Sequence, residues 1–136
     1  MAEKSTDKNF YYATGRRKRA IARVWLRESD DKTFLVNEKP LDQYFNRETS
    51  KMIVNQPLEL TSTVGQFQIR ATVNGGGPNG QAGALRLGIS RALIHFKEEF
   101  RSALRKSGFL TRDPREKERK KFGRRGARRS FQYTKR

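Results

Sequence analysis

Residues 67–96 read FQIRATVNGGGPNGQAGALRLGISRALIHF, and two periodicities meet inside this stretch. Phe67, Ile69, Ala71 and Val73 alternate with Gln68, Arg70 and Thr72, the period of two that sends one set of side chains to a core and the other to solvent, as in a strand. From Gln81 the apolar residues Leu85, Ile89, Ala92, Leu93 and Phe96 recur at three and four positions, with Arg86, Ser90 and Arg91 opposite. That spacing predicts an amphipathic helix. Between them stands Asn74-Gly75-Gly76-Gly77-Pro78-Asn79-Gly80-Gln81, a strand-to-helix turn rich in glycine.

Working toward the N-terminus, Ala20, Ala22, Val24 and Leu26 alternate with Ile21, Arg23, Trp25 and Arg27, which predicts another strand. A further β segment is expected over 33–37, ending at Glu38-Lys39-Pro40, and the two together suggest a hairpin. Leu41, Tyr44 and Phe45 follow at helical spacing, Asn46 is placed to cap a short helix reaching Asn55 before Pro57, and 58–63 reads as extended. Toward the C-terminus a helix is expected from about Lys97, with Glu98 and Glu99 in its first turn, Arg105 and Lys106 in its last, and Gly108 beyond. Asp113-Pro114 then closes the domain. The expected division is a flexible N-terminus over 1–9, a domain over 10–111 and an extended basic tail over 112–136.

Charge decides the class of partner. The chain carries 31 Lys and Arg against 14 Asp and Glu, a formal net charge of +17. Such a density repels itself in a compact state, whereas neutralising phosphates releases condensed counterions and turns the same charge into binding free energy. Twelve of the bases and three of the acids lie from Arg112 onward, a net +9, which leaves +8 on the body, so the body itself is expected to face nucleic acid. With 34% hydrophobic residues the chain holds one modest core. It has no cysteine, which fits a reducing compartment and excludes thiolate chemistry. Neither a secretory signal nor an apolar run of the roughly 20 residues needed to span a bilayer is visible.

Gly75, Gly77 and Gly80 spell G-x-G-x-x-G, so a nucleotide-dependent enzyme is the rival to weigh. That reading also needs a second parallel strand ending in an acid about 20 residues on, and here that stretch is helical. The alternatives are a tight structural turn, or a turn whose amides and helix N-terminus meet RNA phosphates closely because Gly75, Gly76 and Gly77 carry no side chains; the second is preferred, with Gln81 beside it. Arg16, Arg17, Lys18 and Arg19 form a concentrated basic run, read as a phosphate site rather than a solvated charge run because the tail supplies a second cluster. In that tail Arg115, Arg119, Lys120, Lys121, Arg124, Arg125, Arg128 and Arg129 are interleaved with Phe122, and Phe131 and Tyr133 follow. This composition suits phosphate contact with base stacking, over a reach of about 80 Å if extended. His95 is the only histidine and sits on a predicted helix surface, so no catalytic constellation assembles. A histone-like DNA binder or membrane-active basic protein is the third reading.

Three segments together carry a resemblance: Gly15-Arg16-Arg17-Lys18-Arg19-Ala20-Ile21-Ala22-Arg23-Val24; Gly75-Gly76-Gly77 through Gly80-Gln81 to Gly88-Ile89-Ser90-Arg91-Ala92-Leu93; and Leu110-Thr111-Arg112-Asp113-Pro114-Arg115-Glu116 through Gly123 to Gln132-Tyr133-Thr134-Lys135-Arg136. From about Tyr11 to its end the chain resembles the family of the ninth protein of the small ribosomal subunit, in its bacterial form. The resemblance implies an α+β domain of the type shared with the second domain of ribosomal protein S five, set on ribosomal RNA in the subunit head. It implies a tail running toward the peptidyl site, where Lys135 and Arg136 would touch the tRNA, with Thr134 standing where the family usually has serine. Neighbouring head proteins such as S ten and S fourteen are implied as partners, no cofactor is expected, and the setting is the ribosome of the cytoplasm or of a plastid stroma.

Overall fold

The computed structural model describes residues 10–29, 32–115, 119–120 and 122. Its strands are β1 (Phe10–Arg17), β2 (Ala20–Glu28), β3 (Phe34–Val36), β4 (Lys39–Pro40) and β5 (Phe67–Asn74). Its helices are α1 (Leu41–Tyr44), α2 (Glu48–Leu60), α3 (Pro78–Phe96) and α4 (Phe100–Lys106). The strands form one mixed sheet in the order β1-β2-β5-β3-β4. Neighbours pair antiparallel except β3 and β5, which run parallel. The described chain is therefore a small α+β domain, as expected.

The core follows from the alternation. Ala20, Ala22, Val24 and Leu26 of β2 and Phe67, Ile69, Ala71 and Val73 of β5 are buried on one face. α3 lies on that face across β1 and β2 and buries Leu85, Ile89, Ala92 and Leu93, while α2 packs against α3 with Val54 and Leu58. The helix comes close because small residues face one another: a Cβ on Gly15 of β1 would collide with the backbone of Ala84 and Gly88, and one on Gly88 would stand 2.8 Å from Val24 Cγ2. Arg91 of α3 also donates to the Thr14 carbonyl of β1 at 2.8 Å. On the opposite face of the sheet Tyr12, Thr14, Arg16, Ile21, Arg23, Trp25, Arg27, Arg70 and Thr72 are exposed or half-buried.

Several expectations differ from the structure. The expected hairpin between 20–26 and 33–37 does not form, because β5 pairs with β2 along its whole length and stands between β2 and β3. The hairpin partner of β2 is β1, which the sequence marks only by a basic run and its approach. Asn46 does not cap a helix; α2 starts at Glu48 and continues through Pro57 to Leu60, so 58–63 is helix end and turn rather than extended. Proline lacks the N–H that would bond to Ile53, and here burial of Pro57 itself, with Val54 and Leu58 beside it, favours continuing the helix. Glu98 and Glu99 precede α4 in a tight turn, with the Phe100 and Arg101 amides donating three residues back at 3.2 and 3.0 Å. The C-terminal expectation agrees with the structure: Gly108 has φ 78°, and the Phe109 amide closes back onto the Leu104 carbonyl at 3.0 Å. The N-terminal segment 1–9 and most of the tail lie outside the described residues.

Candidate nucleic-acid interface

The β1–β2 hairpin turns at Lys18 and Arg19, with Lys18 in the left-handed region at φ 53°. The glycine loop turns directly against it. Gly75 and Gly76 have φ 77° and 67°, and a Cβ on Gly75 would stand 2.6 Å from the Arg19 carbonyl oxygen, one on Gly76 3.1 Å from Ala20. Both conformation and room therefore demand glycine at these two positions. Gly80 faces the same turn, its Cβ position lying 3.7 Å from Lys18 Cδ. Two motifs more than fifty residues apart in the chain thus form one continuous surface.

Gly77 is different. Its φ of −98° suits any residue, and no atom lies within 4 Å of where a Cβ would be. It occupies the N-cap position of α3, where no side chain caps the helix and no acid stands in the first turn. First-turn amides have no intrahelical acceptor and carry the positive end of the helix dipole. The space before them is open, with the Lys18 side chain beside Gly80 and the Arg19 backbone against Gly75, an arrangement suited to an anion.

The loop is braced from behind. The Gln81 side-chain amide donates to the Gly75 carbonyl at 3.1 Å, and its oxygen accepts from the Tyr44 hydroxyl at 2.7 Å. Asn37 holds the adjoining strand end, donating to the Val73 carbonyl at 3.0 Å and accepting from the Val73 amide at 2.8 Å. Gln81, expected as an RNA contact, therefore has its amide engaged in the loop's own bonds. Beside the helix start, Tyr44, Phe45, Asn46, Arg47, Ser50, Pro78 and Asn79 line a cleft of about 310 Å³.

The basic run splits. Alternation along β1 puts Arg16 on the open face of the sheet, while Arg17 passes to the helix side and lies along Gly83. Arg17 Nη2 stands 3.8 Å from Asp113 Oδ2, and its Nε is buried without a hydrogen-bond partner. Arg115 clasps the same carboxylate, with Nε 3.0 and 2.9 Å from its two oxygens and Nη2 at 2.6 Å, and its backbone amide donates to Oδ1 at 3.0 Å. The Arg115 side-chain bonds, then its amide and the nearby charges, hold the Asp113 carboxyl well below the usual range, and the same bonds raise Arg115. Arg86 donates to Gln56 at 3.1 Å and lies 5.1 Å over the Phe109 ring; burial, then repulsion from Arg17, lowers its pKa against the pull of Asp113.

Asp113 thus ties the root of the tail to the body. The lowered pKa comes chiefly from Arg115, two residues on in the tail itself, with Arg17 of the body adding the smallest part. It is therefore mainly the Arg115 clasp that is fully present above the ordinary Asp range and lost as pH falls through the lowered value. Asp113→Asn is expected to loosen it already at neutral pH. Trypsin cleavage after Arg115 should then be several-fold faster with the melting temperature nearly unchanged, since the Arg17 contact is long at 3.8 Å and the Arg115 pair is local and largely exposed on the arginine side.

Arg119 and Lys120 are exposed. Lys121, Arg124, Arg125, Arg128, Arg129, Lys135 and Arg136 lie outside the described residues. Tyr44 and Asn37 belong to the site although no sequence motif points to them, and Asp113, which stands in the third resembling segment, is read there only as closing the domain; Asn37 carries a local trace in its φ of 50°, a conformation asparagine tolerates. His95 is exposed near the end of α3, and among the described residues no helix is long and apolar enough to cross a membrane.

Comparison with known proteins identifies the family. The family model described as Ribosomal protein S9/S16 matches residues 15–136. A relative named small ribosomal subunit protein uS9, from Syntrophobacter fumaroxidans, is 55% identical over 126 residues, covering 93% of this chain and 96% of that protein. The family match begins at Gly15, at the close contact between β1 and α3, and takes in both the hairpin turn and the glycine loop. The chain therefore belongs to the ribosomal protein S9/S16 family, structural and non-enzymatic components of the small ribosomal subunit.

Proposed function

We propose that the body of this protein binds small-subunit ribosomal RNA through the hairpin turn and the glycine loop acting as one phosphate-binding surface. The observation that carries this is the contact between Arg19 and Gly75, which sets Lys18 and Arg19 beside the open N-terminus of α3. Arg16, Lys18 and Arg19 supply charge, the loop amides supply donors at close range, and Gly77 leaves the approach clear. Arg17 acts differently, holding the root of the tail through Asp113. The mixed sheet with helices on one face supports a domain of the type shared with the second domain of ribosomal protein S five, spanning 10–111.

The tail over 112–136 continues this surface along ribosomal RNA in the head through Arg115, Arg119, Lys120, Lys121, Arg124, Arg125, Arg128 and Arg129. Its tip, Lys135 and Arg136, contacts peptidyl-site tRNA; this part rests on the family resemblance. Neighbouring head proteins such as S ten and S fourteen are the protein partners, and the working place is the ribosome of the cytoplasm. Gradient sedimentation tests the assignment: the chain is expected to travel with small subunits, and recovery only in free fractions would refute it. Deleting Lys135 and Arg136 should leave that sedimentation intact while weakening tRNA binding at the peptidyl site of isolated subunits several-fold. Loss of assembly in the deletion would overturn this division of roles.

A further inference from the structure

The sheet face turned away from the helices is a second surface, adjoining the turn and loop. Cross-strand pairing lays it out in rows: Phe10, Arg27 and Gln68; Tyr12, Trp25 and Arg70; Thr14, Arg23 and Thr72; Arg16, Ile21 and Asn74. The Tyr12 and Trp25 rings lie 5.2 Å apart at 44°, and the Arg27 guanidinium sits 5.7 Å over the Phe10 ring. Phe10 is 39% exposed and Tyr12 46%. Phe10, Trp25, Arg70 and Thr72 line a shallow cavity of about 400 Å³.

Charge complementarity selects the occupant. These rows hold four arginines and no carboxylate. Among the described residues the acid that reaches them is Glu38, 3.8 Å from Arg70 across an exposed pair, which screening makes weak. A face meant for another protein gains little from four unmatched like charges. Aromatic rings set among arginines, threonines and amides are instead what a single nucleic-acid strand uses, its bases stacking on the rings and its phosphates meeting the guanidinium groups beside them. The surface is also continuous with the loop, because Asn74 runs directly into Gly75 and Arg16 precedes the turn at Lys18 by two residues.

We infer that this sheet face binds unpaired RNA nucleotides, with bases stacked on Tyr12 and Trp25 and phosphates held by Arg23, Arg27 and Arg70. The inference rests on the RNA-binding reading above and extends it to an adjoining surface with a different ligand class, since the loop takes phosphate whether or not the RNA is paired.

Trp25 is the chain's single tryptophan, so its fluorescence reports on this face alone. The full chain is titrated with an oligoadenylate of about ten nucleotides, within the span one such platform accommodates. An RNA duplex of the same length and inorganic polyphosphate, at matched salt, serve as controls. Oligoadenylate is expected to quench Trp25, and the two controls to bind without comparable quenching. Tyr12→Ala, at an exposed position, should weaken oligoadenylate binding about five- to a hundredfold, the loss of one stacked base. Its salt dependence should be unchanged, because stacking releases no counterions. Equal quenching by polyphosphate would overturn the inference, leaving a face that responds to charge only. Oligoadenylate binding that leaves Trp25 emission unchanged would overturn it while sparing the RNA-binding reading. A Trp25 change seen only when small-subunit proteins are added would assign the face to a protein neighbour and equally overturn it. Failure of every RNA to bind would refute both.

Discussion

Gly15→Ala is expected to lower the melting temperature of this protein by more than about 10 °C. The added methyl would enter the backbone of Ala84 and Gly88, and neither can yield without moving α3 off β1. That contact holds the main helix on the sheet, and Arg91 reinforces it at Thr14. Overpacking against backbone belongs to the small set of changes that cost roughly 3 kcal/mol or more, and for a domain of about a hundred residues each kcal/mol is about 4–8 °C. Gly77→Ala makes the contrast: its Cβ meets nothing, its φ is ordinary, and the melting temperature should shift by no more than about 3 °C. Circular dichroism melts of the two variants check both statements, and equal shifts would contradict the assignment of Gly15 to packing and Gly77 to access.

Neutralising the turn has the second large effect. Replacing Arg16, Lys18 and Arg19 with glutamine is expected to weaken small-subunit RNA binding at least tenfold near 0.1 M salt. The slope of log affinity against log salt should fall by about 2 to 3, at roughly 0.9 for each phosphate that the variant no longer neutralises on a duplex. Net charge alone would produce part of this, so the control removes three other exposed bases, Lys32 beside Gly65 and Lys97 and Arg101 just past the far end of α3. α3 is 19 residues long, which sets its two ends about 28 Å apart. The control should lose clearly less affinity and less slope. Equal losses would mean that the body binds RNA through its overall field and has no localised interface.

Much of the fold is legible in the sequence. β2, β5 and α3 carry clean periodicities because each buries a single face, and the alternating residues of the two strands are the ones found buried. β1 is hidden because its buried positions are Ala13 and Gly15, whose smallness serves the close approach of α3 and gives no hydrophobic signal. The misplaced hairpin has a comparable cause: β3 reaches the sheet through a parallel pairing with β5, and nearness along the chain predicts an antiparallel neighbour instead. Pro57 misleads because a rule about helix interiors is outweighed by burial. At the site, composition locates the charges and the glycines, but their meeting is tertiary. Nothing in the residues adjoining Arg19 says that its carbonyl lies against Gly75. The same holds for Arg17, which belongs to a basic run by sequence and in the fold turns away from its neighbours, to Asp113.

Whether the hairpin turn and the glycine loop form one RNA surface on the body is open to direct measurement. The chain has no cysteine, so single cysteines introduced by Lys18→Cys and Asn79→Cys, each carrying a tethered iron chelate, generate hydroxyl radicals from one defined point. In reconstituted small subunits the two variants should cleave the same short stretch of ribosomal RNA in overlapping patterns. Cleavage from neither position, or at two unrelated stretches, would contradict a shared surface.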